Sequence, residues 1–191
     1  MKQDIILAGV GGQGILSIAY VIDKAALKQG FQFKQAEVHG MAQRGGAVQS
    51  HLRIADPPVF SELIPKGEAD LLLSVEPLET LRYLEYLKPK GTVLSSINPF
   101  LNIPDYPPLA DILEKIRFFP QAFLIDSEKL SRKAGSLRSQ NMVMLGAASC
   151  FLAVKEEILL KYIEKLFSSK GKSIVEMNLK AFRLGRDAVS G

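Results

Sequence analysis

The hydrophobic pattern along the chain predicts strands that alternate with helices. A short apolar run from Asp4 to Ala8 is typical of a buried strand, and it ends in glycines. After Gly14 the apolar residues recur at helical spacing until Gly30, which favours a helix that ends there. Residues 31–38 have the pattern of a second strand. The opening therefore predicts a strand–helix–strand unit, which is the unit that builds parallel sheets.

The rest of the chain continues this alternation. Residues 47–54 alternate between apolar and polar, which predicts a half-exposed strand. Residues 69–75 are apolar except for Asp70 and Ser74, as in a central parallel strand. A helix is predicted from Pro77 to Leu87, where leucines recur at helical spacing. Further helices are predicted over 110–117, 126–134, 141–152, 155–167 and 173–188. Further strands are predicted over 91–97 and 122–126. Residues 98–108 combine prolines with apolar side chains and predict an ordered, packed loop. The pattern predicts a Rossmann-like α/β fold with an open, mostly parallel sheet, flanking helices and a helical carboxyl-terminal part.

The composition limits the possible functions. The chain has 191 residues, of which 47% are hydrophobic and 23% charged, which is typical of one globular domain. The net charge is +4 and the basic residues are scattered, so nucleic-acid binding has little support. The sequence shows neither a signal-peptide pattern nor an apolar stretch of membrane-spanning length. We therefore expect no membrane contact and a cytoplasmic location.

A single cysteine limits the cofactors that this chain can hold. Cys150 alone cannot form an intrachain disulfide, a four-cysteine zinc site or an iron–sulfur cluster site. It lies in the apolar run from Met142 to Leu152, so we expect a buried, unreactive thiol. The histidines His39 and His51 lack carboxylates at the spacing of metal ligands, and we assign no metal site.

Residues 9–14 carry the first motif with a chemical meaning. They are Gly-Val-Gly-Gly-Gln-Gly and satisfy G-x-G-x-x-G between a predicted strand and a predicted helix. In that motif the first glycine permits a tight turn, the second lets the backbone approach an anion, and the third allows close helix–strand packing. The candidate cofactor-binding residues are Gly9, Gly11, Gly12, Gln13 and Gly14. The acidic residue expected on a ribose would be Glu37; glycines needed only for a tight turn are the alternative.

A second glycine-rich motif, residues 37–46, follows the second predicted strand. It places a carboxylate, an imidazole, an amide and a guanidinium among glycines, at the strand end where ligands bind in open parallel sheets. Arg44 could clamp a phosphate or carboxylate, and His39 could donate a hydrogen bond or move a proton. A turn in which Arg44 pairs with Glu37 is the alternative. The candidate substrate or partner-junction residues are Glu37, His39, Gly40, Met41, Gln43, Arg44, Gly45 and Gly46.

Together the two motifs resemble those of the gamma-type subunits or domains of the 2-oxoacid:ferredoxin oxidoreductases. The resemblance rests on residues 9–14, on residues 37–46 and on the strand 48–54 that follows them. It continues through the segments 67–77, 98–107 and 141–147. Within this family the chain is most similar to the beta subunits of the indolepyruvate branch. The resemblance covers nearly the whole chain and implies one gamma-type domain over residues 1–191.

The resemblance implies a function in oxidative decarboxylation. In this reaction an aryl 2-oxoacid such as indolepyruvate, coenzyme A and oxidised ferredoxin give an aryl-acetyl-CoA, carbon dioxide and reduced ferredoxin. Thiamine diphosphate, magnesium and the iron–sulfur clusters would be carried by a large partner subunit, and this chain would be inactive alone, with no catalytic residue assigned to it. By the same resemblance, residues 11–14 would form an anion-friendly turn for a shared coenzyme A, and residues 37–44 would line the junction with the partner.

Two other functions stay open at this point. The chain could be a free-standing Rossmann-type nucleotide-binding protein in which Glu37 holds a ribose. It could also be a non-catalytic assembly adaptor whose glycines serve only backbone geometry. Tight cofactor binding by the isolated chain would indicate the first, and assembly that survives mutation of both motifs would indicate the second.

Overall fold

The structure is a computed structural model that describes residues 1–39, 45–101 and 103–190, and within these residues one six-stranded sheet carries helices on both faces. The strands are β1 (Lys2–Val10), β2 (Gln32–His39), β3 (Ala47–Ala55), β4 (Ala69–Ser74), β5 (Leu87–Ser96) and β6 (Ala122–Ile125). The helices are α1 (Ile15–Lys28), α2 (Pro77–Arg82), α3 (Leu109–Arg117), α4 (Ser127–Ala134), α5 (Gln140–Ala148), α6 (Glu156–Phe167) and α7 (Lys172–Ser190). Short 3₁₀ turns cover Leu84–Tyr86, Leu137–Ser139 and Ser168–Lys170.

The sheet has the order β2-β3-β1-β4-β5-β6. The strands β1, β4, β5 and β6 pair in parallel, whereas β3 pairs antiparallel with both β1 and β2. Strand β2 therefore runs in the direction of β1, and β3 alone among these strands runs the opposite way. The predicted α/β fold with a mostly parallel sheet is confirmed. The predicted strand–helix–strand opening is present, with β3 inserted between its two strands.

The two faces of the sheet carry different helices. One hydrophobic core lies under α1, α5, α6 and α7 and includes Leu73 and Phe182. The other lies under α2 and α3 and includes Leu72 and Ile112. Successive residues of β4 therefore enter opposite cores, which explains why three leucines, Leu71 to Leu73, follow one another in this strand.

Helices α5 and α7 approach closely because each has a glycine at their crossing. A Cβ atom at Gly146 would lie 1.8 Å from the Phe182 carbonyl oxygen, and one at Gly185 would lie 1.9 Å from the Val143 carbonyl oxygen. Both contacts are with backbone atoms, which cannot move away as a flexible side chain could. The carboxyl-terminal helix is thus fixed against the helix that borders the candidate site.

The prediction of a half-exposed β3 is wrong. Its polar residues are buried: Ser50 is fully buried, and His51 and Arg53 are nearly so. The alternation of faces is correct, since Leu52 and Ile54 enter the first core. The opposite face is covered by residues 56–66, named here the covering segment, whose carbonyl groups accept hydrogen bonds from Arg53.

Two other predictions need correction. The helix that begins at Pro77 ends at Arg82, and Leu87 opens β5 instead of continuing the helix. The helix predicted as far as Leu152 ends at Ala148, which leaves Cys150 in the following turn. Cys150 is half-buried there, with its Sγ atom 3.3 Å from the Ser190 hydroxyl, so it is less buried than the apolar pattern predicted.

Candidate functional site

The candidate site lies at the carboxyl ends of β1 and β4. These strands are neighbours in the sheet, and the helices that follow them, α1 and α2, pack on opposite faces. In an open α/β sheet this change of face leaves a crevice between the two strand ends, where ligands bind. Here the crevice lies between residues 11–14 and residues 75–77.

The glycines of residues 9–14, named here the glycine turn, are needed for different reasons. Gly9 still belongs to β1, and a Cβ atom there would lie 2.4 Å from Val75 Cγ2. Gly12 and Gly14 have φ angles of +103° and +79°, which favour glycine. A Cβ atom at Gly14 would also lie 2.4 Å from Asn141 Nδ2. The role predicted for Gly9 is therefore wrong: it permits close packing, and the turn comes after it.

Gln13 connects the glycine turn to both strands of the crevice. Its Oε1 atom accepts a hydrogen bond from the Val10 N–H at 2.8 Å, and its Nε2 atom donates to the Val75 carbonyl oxygen at 3.4 Å. Its own N–H donates to the Val10 carbonyl oxygen at 3.1 Å. The side chain of Gln13 thus holds the ends of β1 and β4 together.

Some backbone N–H groups of the glycine turn donate a hydrogen bond within the described part of the protein and others do not. The Gly11 N–H donates to the Gly46 carbonyl oxygen at 2.8 Å. Among the described residues, the N–H groups of Gly12 and Gly14 have no acceptor, and no side chain caps the amino end of α1. Free amides at a helix amino end attract anions. Within residues 9–14 the geometry therefore narrows the candidate anion-binding groups to the N–H groups of Gly12 and Gly14, which lie beside the first amides of α1, those of Ile15 and Leu16.

The two glycine-rich motifs meet through the backbone. Besides the bond from Gly11 to Gly46, the Gly45 N–H donates to the Gly11 carbonyl oxygen at 3.2 Å. Gly45 has a φ angle of +78°, so this position also favours glycine. These bonds continue the β1–β3 ladder beyond its last pair, Val10 and Ala47.

Of the remaining candidate residues in the second motif, Glu37 and His39 lie within the described residues and the others do not. Glu37 is exposed on β2, and its Oε1 atom accepts a hydrogen bond from Gln35 Nε2 at 2.5 Å. His39 pairs with Val48 in the β2–β3 ladder. Four other candidates lie outside the described residues, and their roles stay predictions: Gly40, Met41, Gln43 and Arg44.

A cavity of about 430 Å³ lies on the β3 side of the glycine turn. It is lined by Val10, Gly11, Gly12, Gly14, Ile15, Leu16, Glu37 and Val48. Its walls are mostly apolar, and the Glu37 carboxylate is its acidic group. Apolar walls suit a flat or aliphatic part of a ligand, and a carboxylate suits hydroxyl groups and not phosphate.

A second cavity, of about 230 Å³, occupies the crevice between β1 and β4. Its lining includes Gly12, Gln13, Val75, Asn98, Phe100, Arg138 and Asn141. Gly12 borders both cavities, so the glycine turn is the wall between them. Asn98 is held in place because its Oδ1 atom accepts from the Glu128 N–H at 2.9 Å and its Nδ2 atom donates to Asp126 at 3.2 Å.

The sequence analysis missed Glu76, which stands beside this crevice. Glu76 is 1% exposed and directly precedes Pro77, the first residue of α2. Its carboxylate accepts hydrogen bonds from the N–H groups of Glu79 and Phe100 and from the Tyr106 hydroxyl. The signal that could have found it is an acidic residue before a proline at a helix start, directly after a buried strand.

In the part of the chain that the structure describes, no group of three or more His, Cys, Asp or Glu side chains could hold a metal ion. Over the same residues, no helix has the length and apolar character needed to cross a membrane.

Comparison with known proteins identifies the family. Residues 4–188 match the family described as pyruvate ferredoxin/flavodoxin oxidoreductase. The indolepyruvate oxidoreductase subunit IorB of Archaeoglobus fulgidus is 35% identical, with 100% of this chain and 98% of that protein covered. The subunit of the same name from Pyrococcus horikoshii is 38% identical, with 97% of this chain and 95% of that protein covered. The resemblance inferred from the two motifs is thus confirmed.

The fold is also found in a solved structure of a larger protein. It is the 2-oxoglutarate:ferredoxin oxidoreductase from Magnetococcus marinus, with 2-oxoglutarate, coenzyme A and succinyl-CoA bound. The TM-score is 0.77 at 22% identity, and the match covers 99% of this chain and 31% of that longer chain. At this identity the comparison concerns the fold. From the match over residues 4–188 and the end-to-end similarity to the IorB subunits, the chain belongs to the pyruvate ferredoxin/flavodoxin oxidoreductase family.

Proposed function

We propose that the chain is the small subunit of an indolepyruvate:ferredoxin oxidoreductase, present in the cytoplasm and folded as one gamma-type domain over residues 1–191. The observation that carries the proposal is the similarity to IorB subunits, which extends over essentially the full length of both proteins. The reaction oxidises and decarboxylates an aryl 2-oxoacid, transfers the acyl group to the thiol of coenzyme A, and passes the electrons to ferredoxin.

The redox cofactors of this reaction belong on the partner subunit. A single cysteine cannot hold an iron–sulfur cluster, and the described residues contain no group of three side chains suited to a metal ion. By the family resemblance, the proposal assigns thiamine diphosphate with magnesium, and the clusters, to the large subunit. This chain contributes surfaces that bind and position, and no catalytic residue is assigned to it.

The glycine turn is proposed to take part in binding coenzyme A. The N–H groups of Gly12 and Gly14, which have no acceptor in the described part of the chain and lie at the amino end of α1, suit one of its phosphate groups. The carboxylate of Glu37 would accept hydrogen bonds from ribose hydroxyls and would repel phosphate at the same position. The second motif, including Arg44, is proposed to line the junction with the large subunit.

The test is anaerobic co-expression with the large subunit, followed by an assay of viologen reduction that depends on indolepyruvate and coenzyme A. We expect activity only when both chains are present. No association and no change in rate would overturn the proposal. Nucleotide binding by the isolated chain would then be the better explanation, since Glu37 lines a cavity with the glycine turn, as a ribose-binding residue would.

A matched pair of glycine variants tests the role of the turn. Gly12 and Gly30 both have positive φ angles, and a Cβ atom at either would meet no atom within 4 Å. Alanine therefore imposes similar backbone strain at both positions. We expect Gly12→Ala to raise KM for coenzyme A by about tenfold, and Gly30→Ala to leave it unchanged. Equal KM values in the two variants would show that the turn is structural.

A further inference from the structure

We propose that Glu76 is a positioning residue that sets one wall of the crevice between β1 and β4. The inference rests on the proposed function for its last step only, the effect on coenzyme A. Its basis is a buried carboxylate that joins a helix start to an irregular segment. That segment, residues 98–108, is named here the proline segment, and Phe100 within it lines the crevice.

The backbone of Glu76 is fixed at the carboxyl edge of the sheet. It lies two residues after the end of β4, and its N–H donates to the Ser74 hydroxyl at 3.3 Å. Its carbonyl oxygen accepts from the hydroxyl groups of Ser74 at 2.6 Å and Thr80 at 3.2 Å. The side chain therefore starts from a rigid point.

The two carboxylate oxygens of Glu76 serve different segments. Oε2 accepts from the Glu79 N–H at 2.8 Å and so caps α2. Oε1 accepts from the Tyr106 hydroxyl at 2.5 Å and from the Phe100 N–H at 3.2 Å, both in the proline segment. A shorter side chain such as serine or aspartate would cap the helix equally well. The longer glutamate is explained by its second task, which is to hold the proline segment.

Hydrogen bonds compensate the buried negative charge of the Glu76 carboxylate. No ion pair joins Glu76 to a cation within the described part of the chain, so hydrogen bonds compensate the buried charge. Burial raises the pKa of Tyr106, and its hydrogen bond to Glu76 raises it further, so the hydroxyl stays a donor. A buried carboxylate that loses one of these donors has an oxygen without a hydrogen bond, and this lowers the stability of the folded chain.

The consequence for the crevice follows from the placement of Phe100. The proline segment is fixed at its start by Asn98, which is bonded to residues at the amino end of α4, and then by Glu76 at Phe100 and at Tyr106. Between these anchors Leu101 is 74% exposed and packs little. Loss of the Glu76 contacts would therefore release the Phe100 wall while the glycine turn opposite stays in place.

The first part of the test separates capping from positioning. In Glu76→Asp the helix cap is kept but the side chain is too short for the proline segment, and Tyr106→Phe removes one donor from that segment. Tyr83→Phe is the matched control, because Tyr83 packs in the same core without a hydrogen bond to Glu76. We expect hydrogen exchange across residues 99–106 of the full chain to rise about tenfold in the first two variants and to stay unchanged in the control.

The second part measures KM for coenzyme A and kcat in the co-expressed complex. We expect both Glu76→Asp and Tyr106→Phe to raise KM severalfold with kcat within about twofold of wild type. Exchange equal to that of Tyr83→Phe, or faster exchange confined to α2, would overturn the inference. Faster exchange with an unchanged KM would overturn the positioning role. A wild-type complex without activity would overturn the proposed function instead, and the exchange data would then decide whether Glu76 holds the segment.

Discussion

Two buried polar clusters fix irregular segments to the sheet, and they differ in charge compensation. Near the start of β1, Asp4 and Arg53 form an ion pair with two contacts, at 2.9 and 3.1 Å, and Arg53 also donates to the carbonyl oxygens of Ser61 and Leu63. At the opposite edge, Glu76 holds the proline segment through neutral donors. In the first cluster Asp4 pairs with two cations, Arg53 and also Lys2, whose Nζ atom lies 2.9 Å from Asp4 Oδ2. In the second, among the described residues, the Glu76 carboxylate is compensated by hydrogen bonds alone.

The difference relates to the position of the candidate site. The Asp4–Arg53 cluster lies away from the crevice and fixes the covering segment over β3, so it serves stability. Charge paired with charge in a buried site is costly to break. The Glu76 cluster borders the crevice and attaches the proline segment through two hydrogen bonds to one carboxylate oxygen. Each segment is thus held by two hydrogen bonds to one charged side chain, and the difference is that an opposite charge lies beside Arg53.

The largest expected effect comes from breaking the ion pair. Arg53→Ala removes the buried cation that binds both oxygens of the fully buried Asp4 carboxylate and leaves it the half-exposed Lys2 as ionic partner. We expect the free energy of unfolding to fall by about 3–5 kcal/mol in urea denaturation. The control is Lys34→Ala, which removes an exposed ion pair to Glu62 near the same segment and should have a small effect. Similar losses in the two variants would contradict the assignment of stability to Arg53.

A smaller loss is expected from the cluster at the crevice. Glu76→Gln keeps the size of the side chain but has one acceptor oxygen, so it can serve α2 or the proline segment but not both. We expect the free energy of unfolding, measured by urea denaturation, to fall by about 1–3 kcal/mol. A loss as large as that of Arg53→Ala would remove the contrast between the two clusters.

The pH dependence of stability that arises from His51, which lies near Arg53 of the first cluster, gives a third test. Burial lowers the pKa of His51, and the nearby Arg53 guanidinium lowers it further. Its Nδ1 atom accepts from the Ile64 N–H at 3.0 Å, which the protonated ring cannot do. The unfolded chain therefore binds this proton more readily, so stability should fall as pH falls below about 6.5, by at most about 1.4 kcal/mol per pH unit. In His51→Gln this part of the pH profile should be absent; an unchanged profile would assign the titration to another group.

The smallest effect is expected at Glu79, next to the second cluster. Its Oε2 atom is buried and has no hydrogen-bond partner among the residues that the structure describes, and burial raises the pKa of this carboxyl more than the Arg82 guanidinium lowers it. The folded chain therefore binds this proton more readily than the unfolded chain does, so stability is lost as pH rises from about 4.5, the ordinary pKa, towards the raised one. Glu79→Gln should be slightly more stable than wild type at pH 7 and should lose that advantage at low pH in thermal unfolding. A large loss at pH 7 would show that the charge is needed.

The sequence predicted local elements better than it predicted polar contacts. The strand, turn and helix around Gly14 follow from a continuous pattern, so they were predicted correctly. The burial of His51 and Arg53 was not, because their partners lie in an irregular segment without any periodic signal. Glu76 was missed for the same reason, since Tyr106 is 30 residues away along the chain. Such contacts depend on how distant segments pack, which hydrophobic periodicity does not encode.

The inserted strand β3 makes the assembly of the site dependent on the pairing register of one ladder. The pairs of this ladder run from Lys2 and Ala55 to Val10 and Ala47, with Asp4 opposite Arg53 along the way. A slip by one residue would turn every side chain of β3 to the other face and would also separate Gly11 from the second motif. Chains that mispair here would expose apolar residues and lose the site together, so correct folding of the core and correct joining of the two motifs are one event.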